Sequence, residues 1–201
     1  MSHIIALRFI RIPALVALLG LLVAGCGINN IPTYEEQAKA KWSEVLNQYQ
    51  RRSDLIPNLV ETVKGYAKQE REVLEAVTAA RANATAIKIT PELVNDPEAF
   101  KKFQEAQTQL SGALGRLLAV SERYPDLKSN QNFLALQSQL EGTENRIAVA
   151  RRDYIEAVRE YNTELKTFPG VFWASTFYKD RKPMETFTVA DDVKKNPQVK
   201  F

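Results

Sequence analysis

A single cysteine and a single histidine stand among the 201 residues, and both lie at the amino-terminal end, as Cys26 and His3. If that end is a leader that is cut away, the folded remainder has neither imidazole nor thiol. Catalysis or metal binding through those groups is then excluded from it. No charge sign dominates. There are 27 Lys and Arg against 24 Asp and Glu, and losing Arg8 and Arg11 with the leader leaves 25 against 24. A nucleic-acid binder collects a strong basic excess on one face or helix, and this chain shows none. Glycine-rich phosphate loops are missing, as is any sustained alternation of apolar and polar residues that would build a substantial sheet. What is present is an ordinary globular balance, 45% apolar and 25% charged, in a length that suits one domain.

Residues 1–13 carry Arg8 and Arg11 and no acid, and they lead into eleven uncharged, mostly apolar residues at 14–24. A membrane span needs about 20 such residues, so the run fits the core of a secretory signal better. It ends in Val23-Ala24-Gly25-Cys26, which resembles the lipobox of bacterial lipoproteins. That resemblance implies a signal peptide over 1–25, a diacylglycerol on the Cys26 sulfur and an acylated new amino terminus. An uncleaved membrane helix is the other reading, and either one tethers the domain to a membrane. Each buried CH₂ contributes about 0.8 kcal/mol, so two or more acyl chains hold a protein on a bilayer almost permanently. Gly27, in place of Asp, implies the periplasmic face of the outer membrane in a two-membrane cell, and otherwise the outer face of the cytoplasmic membrane.

Residues 26–33 read as a tether, with Thr33 as a helix N-cap answered by Glu36. Beyond it, apolar residues recur at steps of three and four, the stripe by which one helix meets another. Helix one offers Ala38 to Tyr49. Helix two offers Ile56 to Ile87, interrupted only by Glu70. Helix three offers Ala99 to Tyr124, and helix four Phe133 to Phe168, within a proline-free span at 126–168 that would be roughly 60 Å long at 1.5 Å per residue. No long linker separates the first two, so a single kinked rod is an alternative. The expected fold is all-α: an antiparallel four-helix up-and-down bundle over 34–170. An irregular, aromatic-rich tail follows at 171–201, lying along the bundle and covering its open end.

The run from Arg51 to Ala67, with its Arg-Arg-Ser-Asp-Leu-Ile-Pro core, and the run Tyr124-Pro125-Asp126-Leu127-Lys128-Ser129-Asn130 resemble the bacterial LemA family. The stretch from Leu140 to Tyr154, then Tyr161-Asn162 and Phe168-Pro169, continue the likeness in order across about 34–170. The resemblance implies a helical bundle displayed outside the cytoplasmic membrane. It implies no activity, since the family has none established; it is linked loosely to envelope integrity and membrane assemblies, with one branch in magnetosome membranes. Two departures stand out. The lipobox replaces an uncleaved transmembrane helix, and Gln69 precedes Glu70 where the family often has His.

Glu70 on an apolar stripe must be paired, because an isolated buried carboxylate is expensive. Arg116 and Arg151 are its expected partners, forming with Glu144 a polar core that sets helix register; a ligand site is the alternative. Glu70, Glu141 and Glu144 are acids of the kind that line metal sites in helical bundles, but no His follows three residues on, so no metal and no cofactor are expected, a hard-cation site of oxygen ligands alone being the alternative. Ser121 and Ser138 have no base. The pairs Arg51-Arg52 and Arg151-Arg152 read as solvated faces or ion-pair partners. Phe172, Trp173 and Phe177 read as a cap on the core or as an exposed patch for a partner or a membrane surface. These features favour a non-catalytic scaffold or adaptor for other envelope proteins. A small-ligand or wall-fragment binder is the second reading and a carboxylate-based hydrolase the third.

Overall fold

A computed structural model describes residues 27–87 and 90–188, so Cys26 and the leader before it lie outside the described residues. Among the described residues six α-helices follow in order: α1 (Asn30–Tyr66), α2 (Arg71–Ala86), α3 (Pro97–Val120), α4 (Pro125–Lys128), α5 (Gln131–Glu164) and α6 (Gly170–Thr176). Short 3-10 turns at Pro91–Asn95 and Ser121–Arg123 link them, and no strand occurs among the described residues. The chain is all-helical, as its stripes predict.

The first two predicted helices divide differently. α1 runs without interruption from Asn30 through Pro57 to Tyr66, about 55 Å, and Thr33 lies within it rather than capping it. The chain then turns at Ala67–Glu70, where the Glu70 amide donates to the Ala67 carbonyl at 3.1 Å. Proline inside a helix withholds the amide that the carbonyl four residues back expects. Here that carbonyl belongs to Ser53, and it accepts instead from Nε of Arg81 on α2 at 2.9 Å. The defect in α1 thereby becomes a cross-link to α2.

α1 and α5 form the long pair. Asn30 donates to Glu164 at one end (3.1 Å), and Asn130 donates to the Tyr66 hydroxyl at the other (2.8 Å), so they run in opposite directions. α3 lies beside them, with Phe100 and Phe103 against Trp42 of α1. α2 packs on α3 and α1 but spans only 16 residues, so it reaches about half the length of α1. In the other half, the 3-10 turn at Pro91–Asn95 and the segment 184–188 fill the remaining side. Leu93, Val94, Met184 and Phe187 are buried there.

The core is therefore in two parts. One, rich in aromatics, joins Trp42, Phe103, Tyr154 and Phe187; the other, mostly aliphatic, joins Ile56, Leu74, Leu117 and Leu140. The tail departs from expectation in beginning as helix α6, whereas residues 184–188 lie along the bundle without regular structure, as expected, and are clamped to it. Met184 exchanges two 2.9 Å hydrogen bonds with the Asn162 side chain, and the Tyr154 hydroxyl donates to the Glu185 carbonyl at 2.8 Å.

Candidate functional site

Between the two apolar clusters lies one polar level, supplied by the three longest helices. Arg52 of α1 is 1% exposed, although its neighbour Arg51 faces solvent. Its guanidinium donates to Ser111 Oγ (2.7 Å) and the Gln107 side-chain oxygen on α3, and to Glu144 Oε1 on α5 (2.9 Å). The cation also lies 5.0 Å from the centre of the Tyr49 ring. Burial pushes the Tyr49 phenol above its usual range, with the Arg151 and Arg52 charges pulling it back. A buried arginine needs such a set of acceptors, because its charge cannot be shed. Glu144 remains partly open to water, beside a groove between α3 and α5 lined by Ser111, Leu114, Glu141 and Asn145.

The anticipated partners of Glu70 are replaced. Glu70 sits at the turn into α2, half-buried, and accepts from Arg123 (2.8 Å) and from the Tyr124 hydroxyl (2.9 Å). Arg116 is exposed on α3, and Arg151 lies 4.3 Å over the Phe187 ring. The cause is the break at Ala67–Glu70: a helix continued through that point would aim Glu70 inward, whereas the turn leaves it at the end of the bundle beside the end of α3. Glu70 and Glu144 thus belong to separate clusters, each neutralised by its own arginine. Among the described residues no group of three or more His, Cys, Asp or Glu could hold a metal ion.

Periodicity along separate first and second helices does not single out Arg52, Gln107 or Ser111. A signal for Arg52 exists all the same. Once α1 is one helix, Tyr49, Arg52, Ile56, Leu59 and Val63 continue a single stripe at steps of three and four.

Two surfaces remain. Val60, Leu74, Ala79 and Ala82 floor an apolar groove between α1 and α2, about 1240 Å³ of open space, with Lys68 and two ion pairs, Lys64–Glu61 (3.3 Å) and Arg71–Glu75 (2.6 Å), along its rim. At the other end, α6 buries Trp173 while Phe172 and Phe177 stack against it, ring centres 5.0 and 5.9 Å away, and stay exposed. No described helix is long and apolar enough to cross a membrane.

Relatives of this sequence give that geometry a context. It is 29% identical to magnetosome protein MamQ 2 of Paramagnetospirillum magneticum over 180 residues, covering 82% of this chain and 65% of that one. Against magnetosome protein MamQ of Magnetospirillum gryphiswaldense the identity is 28% over 157 residues, 70% of this chain and 58% of that one. Protein LemA of Metamycoplasma hominis is 25% identical over 118 residues, 59% of this chain and half of that one. The chain thus spans between half and two thirds of the length of these relatives, and none of their names denotes a catalytic activity. The LemA family matches residues 41–201, from the first turns of α1 through the tail, and the chain belongs to that family.

Proposed function

We propose that this chain is a non-catalytic scaffold of the bacterial envelope, held to a membrane by lipid on Cys26, whose up-and-down helical bundle presents a docking groove for another envelope protein. The supporting observation is the apolar groove between α1 and α2. It lies at the end of α1 opposite residue 27, so a tether at the amino terminus holds it away from the bilayer. Its occupant is an amphipathic helix with one acid placed opposite Lys68. The floor of Val60, Leu74, Ala79 and Ala82 takes apolar side chains at helical spacing, and Lys68 answers the acid, since Lys64 and Arg71 are engaged with Glu61 and Glu75 of the same rim. The magnetosome names of the relatives agree with a role in membrane-bound assemblies. A photo-crosslinking residue at Thr78, exposed on the groove, should give one discrete protein adduct in intact cells. The charge introduced by Ala82→Asp should abolish it. Adducts that persist with Ala82→Asp, or appear equally from Glu156 on α5, would remove the groove from the proposal.

A second reading has its own observation. The α3/α5 groove carries Ser111, Glu141, Glu144 and Asn145 over apolar Leu114 and Leu118, a mixed lining suited to a small polar ligand such as a wall fragment. Thermal stabilisation by soluble wall fragments, lost in Asn145→Ala, would favour it over the scaffold. The hydrolase reading has less support, since Glu70 and Glu144 are apart and each is paired.

A further inference from the structure

We propose that the end of the molecule built by α6 seats on the headgroup region of an anionic lipid bilayer, with Phe168, Val171, Phe172 and Phe177 entering the interface. Four large apolar side chains are exposed at this one corner: Phe168 by 85%, Phe177 by 67%, Phe172 by 52% and Val171 by 42%. Scattered apolar residues on a surface need no explanation, but a cluster of aromatic rings at one end marks a contact. The cluster is held rigidly. Gly170 lies so close to the end of α5 that a Cβ there would stand 2.1 Å from the Glu164 carbonyl oxygen. This contact folds α6 across the bundle end, and buried Trp173 braces Phe172 and Phe177 from beneath. Rings fixed in this way lose little conformational freedom on entering a lipid interface, where aromatic side chains are enriched.

Two observations identify the occupant as a bilayer. The first is where the chain leaves the described residues. Gly27 sits against Pro169, a Cβ on Gly27 falling 3.2 Å from the proline ring, and Asn30 bonds Glu164. The polypeptide that precedes Gly27 contains the apolar run at 14–24 and Cys26, so the membrane-directed part of the sequence joins the domain beside these rings. The second is charge. Residues 166–182, which carry all four apolar side chains, contain Lys166, Lys179, Arg181 and Lys182 against one acid, Asp180. Basic residues next to an apolar surface favour anionic headgroups. Two further acids lie nearby: Glu35 is held by Lys39 and Arg181 at 2.9 and 3.0 Å, and Glu164 accepts from Asn30, so the charge offered to headgroups is that of Lys166, Lys179 and Lys182. A tether two or three residues away makes seating intramolecular, so even a weak surface affinity suffices.

The proposal draws its orientation from the membrane-anchored reading, and one experiment separates the two. The full-length chain is reconstituted into vesicles of phosphatidylcholine with phosphatidylglycerol, carrying a genetically encoded environment-sensitive fluorescent amino acid in place of Ser175 on α6 or, as a control, of Thr78 on α2, so that Cys26 takes no label. Quenching by lipids brominated near the headgroups reports seating, and sedimentation with the vesicles after a high-salt wash reports anchoring. The expected result is quenching at 175, none at 78, and a fall of about tenfold in the seated-to-lifted ratio for each ring removed by Phe172→Ser or Phe177→Ser, with sedimentation unchanged. A chain that sediments without quenching at 175 overturns the seating and leaves the anchor intact. A chain that is quenched while vesicles are present but washes off sinks the anchor and leaves the seating. A label at 175 already shielded before vesicles are added means that protein covers this face, and overturns the proposal.

Discussion

Arg52 carries more consequence than its neighbours in sequence suggest. Arg51 is solvated, whereas Arg52 places a full charge between two apolar clusters and engages both terminal nitrogens with Ser111, Gln107 and Glu144, while its buried Nε has no partner among the described residues. Removing the cation strands three polar groups and leaves a void. Arg52→Ala should therefore lower unfolding free energy by about 2 kcal/mol in urea titrations, less than a fully buried pair because Glu144 can turn to water. Arg52→Lys should recover little, since an ammonium cannot reach acceptors on α3 and α5 at once as a planar fork does. Glu144→Gln, which keeps an acceptor, should cost about 1 kcal/mol or less. An Arg52→Lys protein as stable as the parent would show that charge alone matters at this level.

At the scale of elements, the most informative feature is the proline that α1 tolerates. Pro57 frees the Ser53 carbonyl, and Arg81 of α2 takes it. The two residues should therefore be coupled: Arg81→Ala destabilises the parent, but less so in Pro57→Ala, where the backbone amide restored at that position can occupy the Ser53 carbonyl. A double-mutant cycle should give about 1 kcal/mol of coupling, and zero coupling would mean that the cross-link has no energetic weight. The α5–α6 corner makes a second prediction. Gly170→Ala forces a methyl into the Glu164 backbone, which should cost about 2 kcal/mol. It should also loosen α6, so that chymotrypsin cuts after Phe172 or Phe177 well before it cuts elsewhere.

For the whole molecule, the buried phenols set an alkaline limit. Burial pushes Tyr161 up to about 12, aided by the charge of Glu35, and moves Tyr154 upward as well. In the unfolded chain both ionise near their ordinary value of about 10. Above that pH the unfolded state releases protons that the folded state keeps. Stability should then be flat up to about pH 10 and fall by about 1 kcal/mol per pH unit for each such tyrosine as the pH rises toward the folded values. Tyr161→Phe should shallow that fall in alkaline denaturation curves, and an unchanged slope would place the loss elsewhere. The architecture has a similar logic: one end carries rings beside the amino-terminal connection, and the other carries an apolar groove about 45 Å away along α1.

Much of this was legible in the residues. Helical class and the long α5 follow from spacing, because a stripe at steps of three and four states which face is buried, although α5 ends at Glu164, short of the stop expected at Phe168-Pro169-Gly170. Family membership was likewise readable from ordered short runs. The site was not. Periodicity shows that Glu70 lies on a line of apolar residues but not that the backbone turns at Ala67, which sends Glu70 to Arg123 and Tyr124. It also treats Arg51 and Arg52 alike, since burial of a charge depends on acceptors two helices away. Local pattern determined the elements, because hydrophobic spacing is a property of neighbouring residues. Only the tertiary packing decided which charges went inside, which aromatic rings stayed out and where α1 gave way to α2, because each of these depends on what another part of the chain brings to the same place.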